Sequence, residues 1–392
     1  MLPAILENTT IVDLQKLVTN CVTESIKLDL KRDNYRINNA NADDKKKQCK
    51  ELLKDTTAFA NSQGGDIIIG IEEDNGAAST LIGFQVADAD NLKRQMIDII
   101  RNGTQPKIAF TIHSVELSRD RHVFIIRIRQ SNHGPHKVAY QGEPGTYWCR
   151  NSGGAHEMTA QEVGELARQS QSLRDKIEGI RKERVEAIAR NETPVDLLTP
   201  QRMVFHFIPE MAFSGFEIKQ QELVYFAQWM PMLHDVGGWS HDYNSDGMVT
   251  FDRDPGIPTS GYVQLYRNGI IESVADDVTW FHPADTQKQT RWFSHNFIPT
   301  VPARIKNYFV LYGHLEVPPP VWFFMSFIGL DGSRVWSKDF LRSVGKPIRE
   351  KVLLTPGVEI ADYEVEIESL IKPGFDKLWN AGGYSHCTAF NW

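Results

Sequence analysis

Two carboxylates, Glu24 and Asp29, lie in a run with partial polar–apolar alternation, VTESIKLDLKR at 22–32, and Lys31 follows Asp29 at a spacing of two. A second acidic pair, Glu72 and Glu73, closes an apolar run, Ile67–Ile71. Carboxylates hold Mg2+ or Mn2+, and such an ion activates water and stabilises charge on the oxygens of a phosphodiester. A lysine beside them can hold a phosphate or orient a carboxylate. On an ideal strand Asp29 and Lys31 share a face, whereas Glu24 and Asp29, an odd number of residues apart, point to opposite faces. They converge only if Glu24 sits in the lead-in loop or at a bulge. Otherwise Glu24 and Asp29 read as a solvated strand edge, and Glu72 with Glu73 as an ordinary turn.

The elements that must position these groups follow from periodicity. A strand is predicted at Ile26–Lys31. Residues 43–61, DDKKKQCKELLKDTTAFAN, predict a helix capped by Asp43 or Asp44, with Cys49, Leu52, Leu53, Thr56 and Phe59 facing inward. Gly64-Gly65 ends it, and the continuous apolar strand Ile67–Ile71 is expected to be buried on both faces. A turn, a short strand near Leu81–Phe84, a helix at Ala89–Arg101 and strands at Ile108–Leu117 and His122–Arg129 come next. A loop at 131–145 and a short strand YWCR at 147–150 complete an α+β sheet domain.

Basic residues border this frame. Lys45, Lys46, Lys47, Lys50 and Lys54 on the helix are a solvated face or, beside the same groove, a phosphate track. Arg127, Arg129, His133, His136, Lys137 and Arg150 are further candidates for contacting a substrate backbone. Residues 1–155 hold 20 Lys and Arg against 19 Asp and Glu, which leaves 23 against 31 in the remainder of a chain of net charge −7. That excludes an indiscriminate polyanion binder but not a local basic face.

Residues 159–190 give the longest helical pattern. Val163, Leu166, Ser170, Leu173, Ile177 and Ile180 alternate spacings of 3 and 4, a heptad seam. It serves either packing on the chain's own sheet or an intermolecular helix pair. Three parts are expected: residues 1–158, a long linking helix at 159–192, and a second mixed α/β, aromatic-rich domain at 193–392. The last carries eight of the nine Trp, strand-like runs at Arg202–Phe207, Gly261–Arg267 and Val321–Ile328, and helical runs at Ile218–Met232 and Pro302–Tyr312. Its aromatics either fill a core or stack on bases.

The four cysteines, Cys21, Cys49, Cys149 and Cys387, are scattered. They suggest neither a disulfide framework nor a zinc knuckle. With no apolar segment long enough to span a bilayer and no leader pattern, a cytoplasmic protein without a membrane partner is expected. The phosphate-loop pattern GxxxxGK[ST] does not occur.

Three phrases, in order, resemble the signature of the Schlafen AlbA-2 domain family: Glu24-Ser25-Ile26-Lys27-Leu28-Asp29-Leu30-Lys31, Ala58-Phe59-Ala60-Asn61-Ser62-Gln63-Gly64-Gly65, and Ile68-Ile69-Gly70-Ile71-Glu72-Glu73. Tyr147-Trp148-Cys149-Arg150-Asn151-Ser152 matches its closing element. The resemblance covers roughly residues 20–165. It implies a Schlafen-type AlbA-like mixed sheet, and it implies that Glu24, Asp29 and Glu73 form a carboxylate site for Mg2+ or Mn2+, with Lys31 beside it. Asp29 stands where the family has the longer Glu, and Glu73 where it has the shorter Asp. The His/Cys zinc set of vertebrate members is not matched.

The functional expectation is a metal-dependent endonuclease acting on RNA, tRNA-like, rather than DNA, in a defence or stress system, and assembled as a homodimer along the seam. The alternative is a catalytically silent nucleic-acid-binding regulator. A third class is an interaction protein whose second domain recognises a ligand or partner.

Overall fold

The computed structural model describes residues 2–3, 6–33, 35–37, 41–140, 145–219, 223–234, 238–252, 256–276, 278–281, 287, 289–294, 298–335 and 345–389. The chain divides into two compact units, Met1–Arg174 and Asp175–Trp392.

The first unit opens with helix α1 (Ile11–Thr19). Strand β1 (Leu28–Lys31) then leads into helix α2 (Ala42–Ala60) and strand β2 (Gly65–Ile69). The strands pair in parallel, Leu28 opposite Asp66 and Lys31 opposite Ile69, so β1-α2-β2 is a crossover unit. Asn41, rather than Asp43 or Asp44, caps α2, accepting the N–H of both aspartates. The expected inward face holds: Cys49, Leu52, Leu53, Thr56 and Phe59 are buried.

The apolar run after Gly64-Gly65 breaks at Gly70 into β2 and β3 (Ile71–Asp74). Gly70 has a positive φ of 108°, a conformation other residues reach at a cost. Ile67, Ile68, Ile69 and Ile71 are all fully buried. Strand β3 forms a hairpin with β4 (Ala77–Leu81), with a register shift between Glu72 and Glu73. Strand β5 (Phe84–Gln85), helix α3 (Ala89–Gly103) and strand β6 (Thr104–Gln105) follow. Strands β7 (Phe110–Ser118) and β8 (Arg121–Ile128) complete a five-stranded sheet in the order β1-β2-β8-β5, with β7 also on β8. Strands β9 (Lys137–Val138), β10 (Thr146–Asn151) and β11 (Gly154–Glu157) join β6 in a second, four-stranded sheet. Sequence periodicity does not reveal β11, which is four residues long and carries Gly, Ala, His and Glu.

Helix α4 (Ala160–Ala189) is the predicted long helix, and the division between units falls inside it. Two seam positions are used within the chain. Ser170 is buried and its hydroxyl donates to the Gly134 carbonyl at 2.8 Å, and Ile177 is buried at 1% exposure. Val163, Leu166, Leu173 and Ile180 are half-buried. Ser170 and Ile177 thus follow the intrachain alternative.

The second unit is β-rich. Strands β12 (Arg202–Pro209), β13 (Ser240–Asn244), β14 (Gly247–Phe251), β15 (Gly261–Tyr266) and β16 (Ile271–Asp276) precede a short pair, β17 (Thr279–Phe281) with β18 (Arg291–Phe293). Helix α5 (Val301–His314), strands β19 (Val321–Ile328), β20 (Val352–Leu354) and β21 (Val358–Ile360), and helix α6 (Ile367–Ala381) follow. An eight-stranded sheet runs β13-β14-β15-β16-β12-β19-β20, with β21 also on β19. All eight residues of β12 are buried, as a central strand requires. The expected helix over Ile218–Met232 is instead a short 3-10 segment at Val224–Trp229, and residues 220–222 lie outside the described residues. Among the described residues, part of the aromatic set fills a core: Phe205, Phe207, Tyr308, Phe309, Phe323 and Phe327 belong to one buried cluster.

Candidate functional site

Glu24 does lie in a lead-in loop. Residues 25–28 turn just before β1, with Ser25 N donating to Leu28 O at 3.0 Å, and the Glu24 carboxylate folds back to accept the Leu30 N–H at 2.8 Å. Glu24 N donates to Gly76 O at 2.7 Å, and Thr23 bridges Ala77. The loop is thus tied to the β3–β4 hairpin that carries Glu73. Glu24 thus stands outside the strand alternation that would set it on the face opposite Asp29.

Burial raises the Glu24 pKa first, and the negative charges of Asp29 and Glu73 raise it further, against the Leu30 N–H and Lys31. Glu73 itself is exposed, and its neighbour Glu72 pairs with Arg32 at 3.3 Å.

Asp29 is 4% exposed and sits between two cations. Lys31 Nζ is 2.7 Å from its Oδ2, and Arg150 Nη2 is 2.9 Å from its Oδ1. Lys31 also lies 3.6 Å from Asp55, a buried carboxylate on α2 that accepts the Tyr35 hydroxyl at 2.8 Å. Burial raises the Asp55 pKa, with Lys31 opposing. Burial would lower that of Lys31, but Asp55 and Asp29 outweigh it and hold the ammonium charged. Asp55 is invisible in sequence because it sits in a helix already rich in charge; only the β1–α2 packing brings it to Lys31.

Arg150, expected to face a substrate, is drawn inward. Its guanidinium donates to Ser25 O and Leu28 O at 3.2 and 3.3 Å as well as to Asp29, and it stacks over the Phe59 ring at 4.8 Å. The Ala58–Gly65 phrase explains why it can reach. Asn61 Nδ2 donates to His136 O and Trp148 O at 2.7 and 2.8 Å, while Ser62 and Arg150 exchange hydroxyl and backbone bonds at 2.7 and 3.1 Å. The phrase stitches β10 to the end of α2. A Cβ on Gly65 would collide with the Lys27 carbonyl and the Phe59 ring, so this close approach needs glycine.

Arg127 is likewise committed internally, forming a two-pronged pair with Asp66 at 2.8 and 2.9 Å and donating to Pro3 O at 2.7 Å. His136 is buried between Pro106 O and Ser131 Oγ at 2.9 and 2.6 Å, and burial lowers its pKa. His133 is also buried, with Arg174 at 3.2 Å. Arg129 and Lys137 are half-buried. On α2, Lys45 and Lys47 are exposed, and Lys46 and Lys50 are half-buried.

Lys50 and Lys54 line a cleft of about 230 Å³ with Glu51, Val138, Tyr140, Thr146 and Trp148. Lys54 Nζ sits 5.1 Å over the Trp148 ring and 2.9 Å from Glu51. Sequence reasoning named both lysines without their aromatic partners, because Tyr140 and Trp148 come from the far end of the domain.

As candidate ligands, Glu24, Asp29 and Glu73 are neighbours rather than a closed set. Among the described residues, the group of three metal-ligating side chains whose donor atoms all lie within 4.8 Å of one another is Cys149, His156 and Glu162. Both Asp29 oxygens face cations already. A Mg2+ or Mn2+ ion held by these three would take the place of one of the two cations at Asp29.

Residues 24–159 match the family model described as Schlafen, AlbA_2, and the first unit carries that domain. No curated protein matches the chain. Similar solved structures include the DIP2311 protein from Corynebacterium diphtheriae, at 16% identity and TM-score 0.27, covering 40% of this chain and 28% of that one. Another is the N-terminal domain of an ATP-dependent DNA helicase RecG-related protein from Nitrosomonas europaea, at 18% identity and TM-score 0.25, covering 38% of this chain and 90% of that one. The chain thus spans about 28% of the length of the first. Among the described residues, no helix is long and apolar enough to cross a membrane.

Proposed function

We propose that the first unit binds nucleic acid, with the α2 cleft as its contact surface. The observation that carries this reading is the cleft's lining: two lysines, Lys50 and Lys54, interleaved with Tyr140 and Trp148. Ammonium groups attract phosphates and aromatic faces stack on bases, the combination that holds single-stranded or looped nucleic acid. Lys45 and Lys46 extend the charge along α2, and Lys137 lies beside the cleft residue Val138. The preference for structured, tRNA-like RNA over DNA rests on the family resemblance alone. Fluorescence anisotropy with labelled tRNA and single-stranded DNA tests the reading. Salt-sensitive binding weakened by Lys50→Ala and by Trp148→Ala is expected; binding unaffected by both excludes the cleft.

A second reading, metal-dependent endonucleolytic cleavage, is favoured by Glu24, whose carboxyl gathers the charges of Asp29 and Glu73. A divalent cation would relieve that repulsion, and Glu24, Asp29 and Glu73 are its candidate ligands, with Lys31 as the neighbouring cation. It requires Asp29 to exchange Lys31 or Arg150 for the ion. Incubation of tRNA with the protein and Mn2+ or EDTA separates the readings. Metal-dependent cleavage abolished by Glu24→Ala with Asp29→Ala supports catalysis; tight binding without turnover supports the silent regulator.

A further inference from the structure

Strands β10 and β11 pair so that Cys149 stands directly opposite His156. The thiol Sγ is 3.1 Å from His156 Nε2, and that same nitrogen is 3.2 Å from Glu162 Oε1. Glu162 lies in the first turn of α4, where its other oxygen accepts the Thr159 N–H and hydroxyl at 2.8 and 2.9 Å. One thiol, one imidazole and one carboxylate thus face one point. Around a tetrahedral zinc ion, with bonds of about 2.0–2.3 Å, neighbouring ligand atoms are about 3.4–3.6 Å apart. The thiol–imidazole and imidazole–carboxylate separations stand within roughly half an ångström of that spacing, and all three donors lie within 4.8 Å of one another.

We propose that Cys149, His156 and Glu162 form a Zn2+ site that clamps the β10–β11 hairpin to the start of α4. The mixed sulfur, nitrogen and oxygen set favours zinc over Mg2+ or Mn2+, which prefer oxygen alone. Three protein ligands leave a fourth position for water. His156 and Glu162 are more than one-third exposed, so an ion has a route in, while Cys149 lies deeper. A thiol gives up its proton to bind a metal. Binding releases that proton to solvent as the thiolate forms. The scattered cysteine spacing gives no hint of this site, because its ligands are joined by strand register and a helix cap rather than by a CxxC turn.

The test uses the full chain, stripped of metal by a chelator and titrated with Co2+ and then Zn2+. One equivalent of Co2+ per chain is expected, with a thiolate-to-cobalt charge-transfer band that Zn2+ bleaches. Cys149→Ser should abolish the band, and Glu162→Gln should weaken Zn2+ binding at least tenfold. X-ray absorption of the Zn2+-loaded wild-type chain needs no variant; it should show one sulfur at about 2.3 Å. No thiolate band, a band that survives Cys149→Ser, or a zinc shell without sulfur would each overturn the proposal.

Discussion

Arg150 reaches from β10 to place its Nη2 2.9 Å from the buried Oδ1 of Asp29 on β1, joining the last and first phrases of the family pattern across 121 residues of sequence. Removing one member of a buried ion pair strands the other, which costs about 3–5 kcal/mol. Arg150→Ala is therefore expected to lower the unfolding free energy by roughly that amount, read from urea titration. A loss under about 1 kcal/mol would mean that Lys31 alone neutralises Asp29.

Glu24 and Asp55 both hold protons more tightly in the folded chain than ordinary carboxyls, mainly through burial. From the ordinary carboxyl range, about pH 4, up to their raised values, the native state binds more protons than the unfolded one. Their contribution to stability therefore falls as pH rises through that window. Glu24→Gln should flatten this part of the stability-versus-pH curve and raise stability at neutral pH, measured by chemical unfolding from pH 4 to pH 7. An unchanged slope would remove Glu24 from the charge cluster.

In the second unit Glu272 is fully buried. It pairs with Arg184 at 2.9 and 3.0 Å, with His206 at 3.0 Å, and accepts the Tyr262 hydroxyl at 2.8 Å. Burial opposes its ionisation, but His206 and Arg184 prevail and lower its pKa to about 2. A lowered pKa gives stability that is present above the unfolded value of about 4.3 and lost as pH falls toward 2. Tryptophan fluorescence during acid titration should show Glu272→Gln less stable than wild type at neutral pH, with the gap closing toward pH 2.

Trp148→Ala should weaken RNA binding by about 1–3 kcal/mol, the worth of one stacked base, with little change in its salt dependence. Lys50→Ala should instead reduce the slope of log affinity against log salt by about 0.7–0.9. Anisotropy at several salt concentrations separates the two. A Trp148 variant that changes the slope and not the affinity would contradict the assigned roles.

Since Ser170 and Ile177 are buried within the chain, Leu173→Glu is expected to leave the mass seen by light scattering as it is in wild type. A dimer split by this substitution would restore the intermolecular seam.

Local pattern determined much of the first unit by itself. The inward face of α2, the buried Ile67–Ile71 run and the long α4 follow from which side chains must leave water, and that information is carried within a dozen residues. The phrases around Glu24, Gly64-Gly65 and Arg150 also marked the domain. Tertiary structure alone decided which way the functional groups face. Glu24 leaves the strand alternation because a turn and its tie to the β3–β4 hairpin re-aim it. Arg127 and Arg150 turn inward because the carboxylates of Asp66 and Asp29 await them, while Lys54 meets Trp148 only through α2–β10 packing. Cys149 meets His156 because strand register sets them opposite. Each depends on a partner distant in sequence or on one unit of register, where a single-residue slip reverses every side chain, and local composition cannot encode that choice.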